Sequence, residues 1–315
     1  MPGLRRRSPA PAPTLVIGES LVDVVVGPGG NHAEHVGGSP LNVAVGLARL
    51  GHPVSLATHF ACDGRGAVIG EHLADAGVLL TPGSDNALDT STATATLDAA
   101  GSASYSFDIA WRVPELPDLP GHLHTGSIGA VMRPGGVDVL SAMTGAARGH
   151  TVSYDPNVRP DLFPDRELAV AEVERRVAVS DVVKASDEDL QWLAGRSLDD
   201  DELAEQLRSW ADLGPVLVVC TLGPRGALAI LPSGRLIAVP GRTVEVVDTV
   251  GAGDAFMSGL LSGLIDAGLL GGADAKARLH KSRGRVLTPA IERGIDASAY
   301  TVARAGAQPP SRADL

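Results

Sequence analysis

The chain has 315 residues, 44% of them apolar, which is enough to bury a full core and to fold as one large α/β domain with a small appendage. With 26 Lys and Arg against 37 Asp and Glu the net charge is −11, so the molecule repels phosphate backbones and anionic lipid; neither nucleic acid nor a membrane is an expected partner. The two cysteines, Cys62 and Cys220, stand far apart and form no C-x-x-C pair, which argues against a disulfide framework and a thiolate zinc site and fits a reducing cytoplasm.

Residues 1–13 carry Arg5, Arg6 and Arg7, and the apolar stretch that follows is broken by Glu19 and Asp23, so the segment reads as a disordered tail rather than a secretion signal. No uncharged run reaches the roughly 18 residues of a membrane span, and a soluble protein is expected. Short β-branched runs then alternate with amphipathic stretches. Strands are predicted at Thr14 to Ile17, Val54 to Thr58, Thr151 to Asp155, Asp181 to Lys184 and Val216 to Thr221. Helices are predicted at Pro40 to Leu50, Ala67 to Ala76, Leu168 to Val179, Asp200 to Leu213 and Ala255 to Ala267, several opened by Pro or Asp and closed by Gly. The alternation predicts an α/β sandwich with a central, mostly parallel sheet. Thr90 to Leu97 and Ser102 to Asp108 break the rhythm: they alternate Ser or Thr with apolar residues around Asp98 to Gly101, as a solvent-edged hairpin does. With Leu21 to Val26 this hairpin forms a small sheet, a candidate lid drawn from about 21–36 and 90–110. The main domain is expected over 14–310, followed by an irregular tail, 311–315.

The sharpest chemical signal is the string from Asp248 to Gly259, Asp-Thr-Val-Gly-Ala-Gly-Asp-Ala-Phe-Met-Ser-Gly, in which a strand-like run, Val244 to Val247, meets a glycine turn and then an apolar helix. Small residues at Gly251, Ala252 and Gly253 leave bare N–H groups at a helix N-terminus, where the dipole favours an anion. A carboxylate directly after such a cradle is electrostatically costly unless it serves the chemistry, and a base beside a transferring phosphoryl group is what hydroxyl attack requires. Asp254 is therefore the candidate base; in isolation it also reads as a helix cap after a glycine turn. A second string, Gly37-Gly38-Ser-Pro-Leu-Asn42, opens a helix: two glycines let a ligand approach the backbone, and Asn42 offers donor and acceptor to a polyol. Asp23, after Gly18-Glu19-Ser20, is an acceptor suited to two sugar hydroxyls, or an ordinary strand carboxylate.

These strings together resemble both signatures of the PfkB, ribokinase-like carbohydrate kinases, and the resemblance runs from about Thr14 to Pro310. It implies the ribokinase-like α/β/α sandwich with a β-sheet lid, and ATP with Mg²⁺ as phosphoryl donor. It places sugar contacts at Asp23, Gly37, Gly38 and Asn42, the base at Asp254, and an anion hole at Gly251, Ala252 and Gly253. Asp155-Pro-Asn-Val-Arg159 resembles a string of bacterial fructokinases whose arginine lies near the substrate. Lys184-Ala-Ser186-Asp-Glu-Asp189 occupies the family's Asn-x-x-Glu position, with Ser for Asn and Asp for Glu, which implies a nucleotide-side role for Lys184 and Ser186 and a magnesium role for Asp189; a capped helix start is the competing reading. The Ser tilts the substrate toward fructose. Thr221-Leu-Gly223-Pro-Arg-Gly226 resembles the nucleotide loop, and Asp248, Val250 and the loop at Gly306 resemble a monovalent cation site suited to K⁺. Two departures stand out: Ala61-Cys-Asp63 replaces Gly-x-Asp, and a polar residue beside adenine is missing near Ile295.

Other classes lack their marks. No glycine fingerprint follows the first strand, and no Walker string, His-Glu-x-x-His or Gly-x-Ser-x-Gly occurs. His122 and His124 alternate on a strand without a third ligand and read as structural. Within the family, 2-keto-3-deoxygluconate kinase, ribokinase and nucleoside kinase remain open, the last disfavoured by only three Trp, three Tyr and four Phe for base stacking. A non-catalytic sugar- or nucleotide-binding regulator is the alternative of another class, set against the intact Asp254. The exposed edge of the lid suggests a homodimer.

Overall fold

A computed structural model describes residues 12–27, 32–97, 103–119, 121–163 and 165–315. Most of the expected tail 1–13 and the turn Asp98 to Gly101 lie outside the described residues. Strand β1 (Thr14–Ile17) leads into β2 (Leu21–Val26) and β3 (His32–Gly37), then helix α1 (Ser39–Arg49) and β4 (Val54–Ala57). Next come α2 (Gly64–Ala76), the two-residue β5 (Leu79–Leu80), β6 (Thr92–Leu97), β7 (Ala103–Asp108) and β8 (His122–Gly126). The middle of the chain forms α3 (Ser127–Val131), α4 (Gly135–Ala146), β9 (Val152–Asp155), α5 (Arg166–Val177) and β10 (Val182–Ser186). It continues through α6 (Asp187–Ala194), α7 (Asp200–Leu213), β11 (Leu217–Thr221), β12 (Gly226–Ile230) and β13 (Leu236–Pro240). Three helices close it: α8 (Ala252–Asp266), α9 (Ala273–His280) and α10 (Gly284–Val302).

Nine strands form the main sheet in the order β13-β12-β11-β10-β9-β8-β1-β4-β5. Every pair from β5 to β11 is parallel, and β12 and β13 add an antiparallel edge. Alternation along the strands feeds two cores, one on each face: Val16 packs with residues of α1, α2, α8 and α10, whereas its neighbours Leu15 and Ile17 pack with those of α4, α5 and α7. This is the expected sandwich. Four of its helices start as their sequences demand, with Asp63, Asp165, Ser186 and Asp199 each accepting the amide three residues on.

The second sheet, β3-β2-β6-β7, is the expected lid. Val22 and Val24 bury one of its faces in the core, so Asp23 between them turns to the opposite face. Glu34 on β3 and Arg65 on α2, 2.6 Å apart, tie lid to body.

One expected strand is absent. Val244 to Val247 is irregular and exposed, tied only by the amides of Val247 and Asp248 to the carbonyl of Val302. Its β-branched residues follow Pro240-Gly241, where the chain leaves the edge of the sheet, and without a partner strand their β-propensity forms no ladder. The last residues are irregular and docked: Arg312 donates to the carbonyl of Leu50 and pairs with Asp266.

Candidate active site

The C-terminal ends of the parallel strands are the usual ligand side of such a sheet. Gly251, with φ 75°, caps α8 and puts Asp254 in the first turn. The Ala252 amide closes a turn on the carbonyl of Thr249, so the expected cradle is narrower than the sequence suggested: the Gly251 and Gly253 amides have no protein acceptor among the described residues. Asp254 is 7% exposed, and both its oxygens are engaged by α1: Ser39 Oγ donates to Oδ1 at 2.6 Å and Asn42 Nδ2 to Oδ2 at 2.8 Å. Spaced three apart, Ser39 and Asn42 share one helix face. A buried carboxylate with two fixed donors is held in one orientation and kept available as a proton acceptor.

Beneath the glycine turn lies a buried cation. Lys184 Nζ donates to Asp155 Oδ2 at 3.0 Å, and a Cβ on Gly253 would stand 3.0 Å from that same nitrogen. Burial opposes the charge of Lys184, but the carboxylates of Asp155, Asp189 and Asp254 outweigh it and hold its pKa above the ordinary lysine value. Burial pushes Asp155 up to about 6, against the pull of Lys184. The pair is an ion pair, because the ammonium is the group three carboxylates favour. Lys184 thus sits under the cradle on β10, within the strand its sequence predicts.

On the sugar side, Gly37 has a specific reason to be glycine: a Cβ there would stand 2.1 Å from Asp23 Oδ2. Asp23 therefore lies across the β2–β3 pair toward Gly37 and α1. Gly38, with φ 112°, makes the turn into α1. Burial raises the pKa of Asp23, opposed by the charges of Arg159 and His35. Arg159 follows Asn157, which has φ 38°, and folds its guanidinium onto Asn157 Oδ1 at 2.6 Å. Asp23, Gly37, Gly38, Asn42, Arg159 and Asp254 are thus brought together.

On the other side, Ser186 and Thr221 are register partners at the ends of β10 and β11. Gly223 stands in open space in the next turn, while Gly226 packs so tightly that a Cβ would meet the carbonyl oxygen of Val239 at 2.1 Å. Arg225 anchors that turn to Asp200 at 2.7 Å. Asp189 stands in the capped helix start that was its competing reading. Its Oδ2 accepts from the amide and hydroxyl of Ser186 in a capping box, and its Oδ1 accepts the Val158 amide at 2.7 Å. Shorter by a methylene than Glu, it fixes the Arg159 loop against the start of α6. Among the described residues no group of three His, Cys, Asp or Glu could hold a metal. Asp248 joins two loops, accepting from the amides of Val250 at 3.0 Å and Gly306 at 2.8 Å; these bonds lower its pKa.

Sequence reading missed Ser39, although its place one turn before Asn42 was a signal. It also missed His35, which pairs with Asp23 across β2 and β3 in the lid. His122 and His124 are structural, as expected: both are buried and bonded to Ser153 Oγ.

An α/β/α sandwich with a β lid, free amides at a helix N-terminus and a fixed carboxylate beside them defines a phosphotransferase acting on an alcohol. The profile of the pfkB family carbohydrate kinase matches residues 16–314, and the chain belongs to that family. A fructokinase of Rhizobium leguminosarum bv. trifolii is 36% identical over 264 residues, covering 79% of each chain. A double mutant of the Vibrio cholerae O395 fructokinase, in fructose-, ADP- and potassium-bound form, superposes with a TM-score of 0.76 at 29% identity, covering 96% of this chain and 95% of the other. Xylella fastidiosa fructokinase with bound ATP superposes with a TM-score of 0.79 at 25% identity, covering 96% and 94%.

Proposed function

We propose that the protein transfers the γ-phosphoryl group of ATP to a primary hydroxyl of fructose. The observation that carries the reading is Asp254, held by Ser39 and Asn42 next to the free amides of Gly251 and Gly253 and on the same side as Asp23. Fructose lies under the lid, held by Asp23, Asn42 and the Gly37–Gly38 backbone, with Arg159 at its edge. Asp254 takes the hydroxyl proton as the new O–P bond forms and the bond from the γ-phosphorus to the β,γ-bridging oxygen breaks, releasing ADP. The amides of Gly251 and Gly253, with Ala252 shaping the turn and Lys184 below, offset charge developing on the transferring group. Ser186, Thr221, Gly223 and Gly226 line the nucleotide side.

Magnesium is the expected metal, and its ligands would come mainly from ATP phosphates, which fits a site whose nearby carboxylates are already engaged. Bound there, it neutralises phosphate charge. A K⁺ ion fits the loops that Asp248 joins, near Val250 and Gly306. The domain is assigned to 14–310, with 311–315 an appended segment. A homodimer through the lid and a cytoplasmic location complete the reading; no described helix is long and apolar enough to cross a membrane, and Cys62 and Cys220 are both free.

The test is a coupled ADP-release assay with fructose, ribose, 2-keto-3-deoxygluconate and adenosine. Fructose should give the highest kcat/KM. Preference for another compound moves the assignment within the family, and no stimulation by any polyol favours a non-catalytic binding protein.

A further inference from the structure

We propose that Glu19 is a positioning residue for the sugar, whose buried carboxylate clamps the turn after β8 against the glycine floor of the sugar site and so governs sugar affinity rather than the chemical step. The inference deepens the sugar-kinase reading and rests on it.

Glu19 is 2% exposed, and its Oε2 accepts the Gly129 amide at 2.7 Å. Ser127 has φ 53°, a conformation costly for a residue with a side chain, so something must hold it. The packing around Glu19 is backbone on two sides. A Cβ on Gly129 would stand 2.7 Å from the Glu19 nitrogen and 2.8 Å from Oε2, and one on Gly38 would stand 2.5 Å from the Glu19 carbonyl oxygen. One residue therefore joins the exit of β1, the exit of β8 and the Gly38 turn that launches α1 with Ser39 and Asn42. From the far side Trp111 Nε1 holds the carbonyl of Gly129 at 2.7 Å.

An apolar side chain would fill the space without the cost of burying an ionisable group. Burial pushes the carboxyl up to about 7, opposed by the Gly129 and Glu19 amides, Ser127 and the charge of Arg159. Arg159, from the loop after β9, is the charged side chain facing it; the Gly38 turn and the 127–129 turn contribute none. Because burial outweighs these donors, the clamp holds best with the carboxyl protonated and loosens as pH rises through neutrality.

The experiment compares wild type, Glu19→Gln and Glu19→Ala, each verified as folded by circular dichroism, measuring kcat and the KM for sugar and for ATP from about pH 5.5 to 8.5, the span around this titration. The sugar is whichever acceptor the wild type turns over. Glu19→Ala should raise sugar KM roughly tenfold, the loss of one buried hydrogen bond, with kcat and ATP KM within about threefold. Glu19→Gln keeps an acceptor and should restore most of the affinity. Wild-type sugar KM should rise between about pH 6 and 8 by more than that of Glu19→Gln, because only the carboxyl titrates. An unchanged sugar KM in Glu19→Ala, an equal loss in all three parameters, or identical pH profiles for wild type and Glu19→Gln each overturn the proposal. If the wild type phosphorylates no sugar, the sugar-kinase reading fails before any variant is compared, and the proposal falls with it.

Discussion

Asn42 Nδ2 donates to Asp254 Oδ2 at 2.8 Å, joining two residues 212 positions apart. The contact is set by how α1 and α8 cross. One turn beyond each partner stand Gly46 and Ser258, and a Cβ on Gly46 would lie 2.4 Å from Ser258 Oγ. A residue that looks like a sugar ligand in the sequence is thereby also a holder of the base.

Replacing Asp254 by Asn keeps the shape and removes the base. We expect kcat to fall by about 10² to 10⁴, with modest change in sugar KM. Turnover near the wild-type rate in a steady-state assay rules Asp254 out as the base.

Ser39→Ala and Asn42→Ala each leave one carboxylate oxygen without its donor. A hydrogen bond to a charged group is worth about 1.5–3 kcal/mol, so kcat should drop roughly 10- to 100-fold. Asn42→Ala should also raise sugar KM and Ser39→Ala should not, which separates the double duty of Asn42 from the single duty of Ser39.

Gly46→Val pushes α1 off α8. Overpacking of this kind costs about 1–3 kcal/mol, visible in denaturant unfolding. The folded fraction should show a lowered kcat even when corrected for stability, since Asn42 retreats from Asp254. A stability loss with unchanged kcat per folded molecule would show that the helix crossing does not set the site.

Lys184→Met leaves Asp155 buried without its partner, and breaking a buried pair costs about 3–5 kcal/mol. Lys184→Met combined with Asp155→Asn should recover part of that stability but not the ATP KM, because the positive charge under Gly253 stays lost. Full recovery of ATP KM in the double variant would show the pair to be structural.

Burial lowers His122 from 6.5 to about 4 and His124 from 6.5 to about 3. Below pH 6.5 the unfolded chain takes up protons that these folded histidines refuse, so stability falls on acidification toward pH 3. Glu19 and Asp155 act in reverse: with pKa values raised to about 7 and about 6, they favour the fold at low pH and lose that contribution as pH rises through those values. His124→Asn should therefore flatten the acid side of a thermal-melt series between about pH 6 and 4, leaving the alkaline side unchanged. A variant that melts in parallel with wild type across that range would mean that His124 does not carry the acid sensitivity.

Much was legible in the chain before any coordinates. Period-2 runs and capped amphipathic stretches marked the sandwich, because burying one helix face or both sheet faces leaves its trace in local order, and Asp200 to Leu213 appears with the boundaries its caps announce. Glycines at 37, 38, 251 and 253 were readable because backbone that must approach a ligand or a carboxylate excludes Cβ. Other features depend on neighbours that no local pattern encodes. Val244 to Val247 has strand-forming residues and no strand beside it; Asp189 has a ligand's chemistry and spends it on Ser186 and Val158. Ser39 acquires meaning only when α8 arrives beside it, and Lys184 becomes a buried cation only because β9 brings Asp155 alongside. Local sterics and hydrophobic periodicity are written in sequence order, so the sequence determined the elements and the motif positions. Hydrogen-bond partners and electrostatic environment depend on distances between segments far apart in the chain, and the tertiary structure decided those.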